Sequence, residues 1–332
     1  MLNYQNRLRD IQSNEPIFSI PPFKVEQVFT SNAQTIDWGI ELLGVPNFWK
    51  YTKGKGVKVA VLDTGVAHTH PDLKGAIIDM EDFTNSRSGI SDINGHGTHC
   101  AGIIAARDNS LGVVGVAPES ELLIGKVLGD DGSGSEEMVA DGIYWAIKSG
   151  ADIISMSLGS PYPSEKIYDA VMSAIQSGVF VICAAGNSGP DLGTVDFPGA
   201  FEETIAVGSI DRTKKVAHYS ARGRQVDIVA PGDNILSTYP PRGLAKLSGT
   251  SMATPFVAGI AALILSKHKH FQGQTPITKQ ADMEEHLRMT ALDLGPEGFD
   301  PSYGFGLINP KKLLRPELDP CEENNPPYQQ KA

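Results

Sequence analysis

The sequence predicts an α/β fold, a three-layer doubly wound and mostly parallel sheet with helices on both faces, and three observations carry the prediction. Short β-branched runs recur from residue 57 onward: VKVAVLD (57–63), ELLIGKVL (121–128), ADIISMSL (151–158), VFVICAAG (179–186), TIAVGSI (204–210) and QVDIVAPG (225–232). Two segments between them, SEEMVADGIYWAIKSG (135–150) and SEKIYDAVMSAIQSG (164–178), carry apolar residues at helical spacing, open on serine and close on glycine. Strand, helix, strand in sequence requires a crossover, which makes the sheet parallel and covers both of its faces. A third, very apolar helix is expected over about 252–268 and a fourth over 281–291.

The ends depart from this alternation. Residues 1–32 are polar apart from the island FSIPPFKV (18–25), whose adjacent prolines favour an extended chain. Residues 33–315 form the regular domain, and the tail, 316–332, is rich in proline and charge and is expected to be flexible. With 39 acidic against 28 basic side chains, the 332-residue chain carries a net charge of −11, which excludes nucleic-acid binding by bulk charge. Cys100 and Cys183 sit in apolar stretches, Cys321 in the tail, and three scattered cysteines do not make a disulfide framework. The longest apolar run, Pro255–Leu265, falls short of the roughly 20 residues a membrane span needs. The first residues, MLNYQNRLRDIQSNEP, are polar where a secretory signal needs an apolar stretch, so a cytoplasmic location is expected. Neither GxGxxG nor GxxxxGK(S/T) occurs, which speaks against a nucleotide-binding protein.

Three segments place a reactive side chain beside glycines or at a helix start. Asp63 ends the run VKVAVLD, at the carboxyl edge of the sheet where α/β proteins build their sites; alone it also reads as a helix-capping aspartate. His96 and His99 open a helix in NGHGTHCAG, equally a metal pair or a surface turn when taken alone. Ser251 in GTSMATP stands at a helix N-terminus, where serine is usually a cap. Their order is Asp, His, Ser. An acyl hydrolase of the GxSxG type would instead place its serine before the acid and the histidine.

The segments VLDTG, NGHGTHCAG, ISMSLG, CAAGNSG and GTSMATP, in that order across residues 33–312, resemble the subtilisin-like serine proteases. The resemblance implies a subtilisin-like serine endopeptidase of broad specificity. Ser251 is then the nucleophile, His96 its general base, Asp63 the group that orients the imidazole, and Asn187 a donor to the oxyanion. His99 is expected to be a packed structural residue. Substrate is expected to lie as an extended strand between two backbone edges, Gly132-Ser133-Gly134 and Ser157-Leu158-Gly159. The pocket for the residue before the scissile bond (P1) is expected between the second edge and Ala184-Ala185-Gly186. If Asp196 faces that pocket, arginine or lysine is favoured there; the other reading is an exposed loop carboxylate.

The same resemblance implies a calcium site in Arg107–Val113. Its ligands are the carbonyls of Arg107, Leu111 and Val113 and the side chains of Asn109, Asp72 and Gln34, six or seven hard oxygens that suit Ca²⁺. Arg107 departs from the apolar residue usual there. The island Ile20-Pro21-Pro22-Phe23 resembles the LIPY-type motif of the intracellular subtilisins, with a second proline inserted, and VICAAGN also resembles that branch. From this follow a protease held as a zymogen by residues 1–32 as an inhibitory propeptide, a homodimer as in many intracellular relatives, and protein or peptide substrates. The competing reading is a catalytically silent binding module on the same fold.

Overall fold

The computed structural model describes residues 16–31, 33–270 and 277–310. In chain order the strands are β1 (Ile17–Ser19), β2 (Lys24–Phe29), β3 (Lys58–Asp63), β4 (Ile77–Asp82), β5 (Glu121–Lys126), β6 (Ser133–Ser135), β7 (Ile153–Met156), β8 (Phe180–Ala184), β9 (Ile205–Ile210), β10 (Ile228–Pro231), β11 (Ile235–Tyr239) and β12 (Gly243–Ser248). The helices are α1 (Trp38–Leu43), α2 (His96–Ala105), α3 (Glu136–Lys148), α4 (Glu165–Gln176), α5 (Thr250–His270) and α6 (Gln280–Thr290).

Seven strands form one sheet in the order β10-β9-β8-β7-β3-β5-β4, with every pair parallel. All six runs read as strands lie in it, and the four helices expected at 135–150, 164–178, 252–268 and 281–291 are α3 to α6. Side chains alternate across the sheet as the pleat requires. Val59 and Val61 face a core shared with α2 and α5, whereas Ala60 and Leu62 face a second core under α3 and α4. Three layers result. The strand order reverses beside β3, so the carboxyl ends of β3 and β7 border the crevice where doubly wound sheets bind ligands.

The helices start where their caps dictate. The Ser135 and Ser164 side chains accept from Met138 N and Ile167 N, so the serines that opened both patterns are their N-caps. Helix α5 runs beyond the apolar segment 255–265 at both ends. Over Thr250–Lys267 its mean hydropathy is 1.3, long and apolar enough to cross a membrane, yet all of that window is buried within the fold. Its apolar surface is thereby already covered by the sheet and α2.

Three elements have no counterpart in the sequence reading: α1, the edge strand β4, and a second sheet ordered β11-β12-β2. In that sheet β2, a piece of the leader, lies antiparallel on β12. The proline-rich tail and Cys321 lie outside the described residues, as do residues 1–15 of the leader. Cys100 and Cys183 are buried free thiols.

Candidate active site

Asp63 is the last residue of β3 and is 1 % exposed. Opposite it, α2 begins at His96, whose Nδ1 lies 2.8 and 3.0 Å from the two Asp63 oxygens. Burial alone drives an imidazole toward neutrality, but the neighbouring Asp63 carboxylate outweighs it here and holds the His96 pKa above its ordinary value. The pair is aligned by Asp92, which the sequence reading missed. One Asp92 oxygen accepts from Thr64 Oγ1 (3.0 Å) and Gly95 N (2.8 Å), the other from Thr98 N (2.9 Å) and Thr98 Oγ1 (2.6 Å). It thus ties the end of β3 to the first turn of α2. The signal was present in DINGHGTH, an aspartate ahead of a glycine-flanked helix start.

His99 faces away from this pair. It is fully buried, its Nε2 lies 3.0 Å from the Ile235 carbonyl and 3.1 Å from that of Ala245, and burial pushes its pKa down to about 3. It is a neutral packing residue, as expected.

Ser251 is the second residue of α5. Pro255, four residues on, has no N–H to give the Ser251 carbonyl its helical hydrogen bond. That carbonyl instead accepts from Ser157 Oγ (2.9 Å) and Cys100 Sγ (3.4 Å), and Cys100 Sγ also lies 3.9 Å from His96 Nδ1. The serine is therefore held between the strand end after β7 and the histidine helix. Its own hydroxyl donates to the Ser157 carbonyl at 3.3 Å, and His96 Nε2 has no hydrogen-bond partner among the described residues.

Asn187 follows β8. Its Oδ1 accepts from Thr250 N and Thr250 Oγ1, both at 2.9 Å, which fixes the amide so that Nδ2 points into the cleft. There it donates to the Pro22 carbonyl at 3.0 Å.

The leader fills the groove between the two backbone edges. Strand β1 pairs antiparallel with β6, matching Phe18 with Gly134 and Ser19 with Ser133. Ser19 exchanges both hydrogen bonds with Gly159 at 2.9 Å, and Ile20 N donates to the Gly132 carbonyl at 3.0 Å. Phe18 is fully buried in the α3–α4 core beside Leu128 and Leu158. The Phe23 ring packs 5.1 Å from the His96 ring, tilted by 59°. Ile20, Pro21, Pro22 and Phe23 therefore cross the space between Gly132, Asn187 and His96.

Asp196 sits between Gly159 and Ala185-Gly186. A Cβ built on Gly159 comes 2.8 Å from Asp196 Cβ, one on Gly186 overlaps the Asp196 carboxylate, and Asp196 N donates to the Ala185 carbonyl at 2.9 Å. Only glycine leaves room for the carboxylate here. Two hydrogen bonds between Ser160 and Phe197, at 2.8 and 2.9 Å, pin the loop behind it.

At some distance, residues 107–113 wrap around Asp72, which is 1 % exposed. Asp72 Oδ2 accepts from Val113 N (2.9 Å), Asn109 Nδ2 lies 3.4 Å from Asp72 Oδ1, and a Cβ on Gly112 overlaps the carboxylate. Gln34 Oε1 accepts from Asn109 N and Ser110 N, at 3.0 and 2.9 Å. The carbonyls of Ser110 and Gly112 receive Gln34 N and Thr35 N, at 3.2 and 2.7 Å.

The subtilase family profile matches residues 54–306. The chain is 48 % identical over 262 residues to the major intracellular serine protease of Bacillus subtilis (strain 168), covering 76 % of this chain and 82 % of that protein. It is 50 % identical over 233 residues to the intracellular serine protease of Paenibacillus polymyxa, covering 68 % and 72 %. Subtilisin Savinase of Lederbergia lenta is 45 % identical over 284 residues, 85 % of this chain and 100 % of that protein. The seven-stranded parallel sheet, the order of the five motifs and these identities lead to one assignment: the chain belongs to the subtilase family of serine proteases.

Proposed function

We propose that the chain is a cytoplasmic serine endopeptidase acting through Asp63, His96 and Ser251, stabilised by calcium and held inactive by its own leader. The observation that carries the reading is the buried Asp63–His96 pair facing the first turn of α5, with the Asn187 amide aimed into the same cleft. His96 Nε2, on the far side of the ring from Asp63, takes the Ser251 proton as the hydroxyl attacks a peptide carbonyl and returns it to the leaving amine. Asp63 stabilises the imidazolium in between. Asn187 Nδ2 and the backbone N–H of Ser251, unpaired by helix geometry at the N-terminal turn, hold the negative charge that develops on the carbonyl oxygen. Modification of the folded chain by a fluorophosphonate, lost in Ser251→Ala, is the expected result; labelling that persists in the variant removes Ser251 from this role, and no labelling of the wild type before or after the leader is cut favours a silent binding module.

The leader's register supports inhibition. Ser19 is opposite Gly159 in an antiparallel pairing, so Pro21 is opposite Ser157. A residue with an N–H there claims the Ser157 carbonyl; proline has none, and Ser251 Oγ donates to that carbonyl instead, away from His96. Asn187 meets the carbonyl of Pro22, one residue beyond the position the register requires. The second proline thus leaves the leader's backbone out of step with the catalytic groups, while Phe23 covers His96.

For P1 specificity the reading is a basic residue held by Asp196, whose half-buried carboxylate lies between Gly159 and Gly186. Asp196→Asn is expected to lower kcat/KM for an arginine substrate by about 10- to 100-fold, the loss of one partly desolvated charge pair, and to leave a phenylalanine substrate little changed. An unchanged arginine-to-phenylalanine ratio overturns this.

Calcium is supported by the donor set: one buried carboxylate, two amide side chains and the carbonyls of Arg107, Leu111 and Val113. The Asn109 oxygen keeps a lone pair beyond its bond from Leu111 N, whereas Gln34 Oε1 already accepts from two backbone N–H groups and must release one of them to ligate. Bound there, Ca²⁺ supplies no chemistry; it neutralises Asp72 and locks the loop. At roughly 100-fold excess over its dissociation constant a native-state ligand contributes about 2.7 kcal/mol. Chelation is then expected to lower Tm by about 5–10 °C, and by much less in Asp72→Asn, as read by calorimetry.

A further inference from the structure

The geometry points to a second substrate-binding element, the edge of β12 on the leaving-group side of the scissile bond. Strand β2 covers that edge in the intact chain, pairing Lys24 with Ser248, Val25 with Leu247, Gln27 with Lys246, Val28 with Ala245 and Phe29 with Leu244. The other edge of β12 is already held by β11, so departure of the leader opens one row of backbone donors and acceptors. The row begins at Ser248, three residues before Ser251, and runs away from the cleft to Gly243. Because the leader enters along β1 and β6 and passes Asn187 before reaching β2, this edge lies where residues after a cleaved bond must go.

The contact is made by backbone. Val25 and Val28 of β2 are 41 % and 54 % exposed, and Glu26 and Gln27 are also exposed, so the middle of the track reads hydrogen-bonding capacity and not side chains. Its far end does select: Phe29 packs on Ala106, Val113, Leu236 and Leu244, all at least nine-tenths buried. A polypeptide with about six extended residues after the cleavage point, ending on an apolar side chain, fits the same track. Resting on the endopeptidase reading, the inference makes extended polypeptide the preferred substrate over short peptides. Binding energy far from the reacting bond is then available to the transition state.

The test uses the full chain, folded intact, cut after Thr30 at an inserted protease site and dialysed. Peptides with identical acyl-side residues and one, four or eight leaving-side residues are compared with a nitroanilide that has none. The eight-residue peptide is expected to exceed the one-residue peptide in kcat/KM by about 10- to 100-fold, the sum of several backbone hydrogen bonds. Methylation of alternate leaving-side amides is expected to remove the gain, and an apolar last residue to add to it. In parallel, a labelled peptide of residues 24–30 is titrated into the cut Ser251→Ala chain by fluorescence anisotropy. Equal kcat/KM at all lengths, or no saturable binding of that peptide, overturns the track. An inert nitroanilide with saturable binding overturns only the catalytic reading and leaves the track standing.

Discussion

Ser251→Ala in the full chain is expected to lower kcat by about a million-fold, the scale known for loss of the serine in subtilisin itself and carried over to this relative. The size follows from what alanine removes. Without Oγ there is no acyl-enzyme, and only the oxyanion donors and substrate binding remain to accelerate attack by water. The fold is expected to tolerate the change, because the Ser251 contacts to Ser157 Oγ and Cys100 Sγ are made by its carbonyl, which alanine keeps. Steady-state hydrolysis of a chromogenic peptide gives the rate, and Tm measured alongside separates a lost nucleophile from a lost fold. A Ser251→Ala chain with normal Tm and more than about one-hundredth of the activity rules out the proposed mechanism. The variant's N-terminus is expected to stay intact on incubation with calcium if the wild type removes its own leader.

The second large effect is expected on release of the leader. Tethering presents the leader to the cleft at an effective concentration of about a millimolar. A segment that bound at about 10 μM as a free peptide then occupies the cleft about 99 % of the time, so cutting after Thr30 is expected to raise activity by about 100-fold. Pro21→Ala tests the cause. Alanine restores the N–H opposite the Ser157 carbonyl, which frees Ser251 Oγ to turn toward His96. The variant leader is expected to be cut within the cleft and activation to become faster, read as the time course of the new N-terminus by mass spectrometry. An activation rate equal to that of the wild type counts against the proline argument, and equal activity before and after cutting counts against inhibition altogether.

What could be seen in the sequence was what repeats locally or carries a motif. The six parallel strands have apolar interiors because both faces are covered, and serine caps marked α3 and α4 directly. Strand β4, IIDMED, sits at a sheet edge with Ile78, Asp79, Met80 and Glu81 exposed, so no apolar run marks it. Strand β2 is held by backbone pairing with its middle side chains in solvent, which erases any alternation. At the site, glycines and helix starts singled out Asp63, His96 and Ser251, and it was the motif order and the family resemblance that gave them and Asn187 their proposed roles. The facing of Asp196 was not legible, since it depends on where a loop pinned by Ser160 and Phe197 returns to the sheet. Nor was the role of Asp92, whose partners span the turn between β3 and α2.

Pro255 links Ser251, the proposed nucleophile, to the order in which the protein assembles. By withholding one helical hydrogen bond it leaves the Ser251 carbonyl to be satisfied by Ser157 and Cys100, residues 94 and 151 positions away in sequence. Contacts of such separation close late, after the loop entropy between them has been lost. A partly folded chain therefore lacks the contacts that seat Ser251, however complete helix α5 is on its own. On the proposed mechanism, proteolytic competence is therefore expected only of the finished tertiary structure.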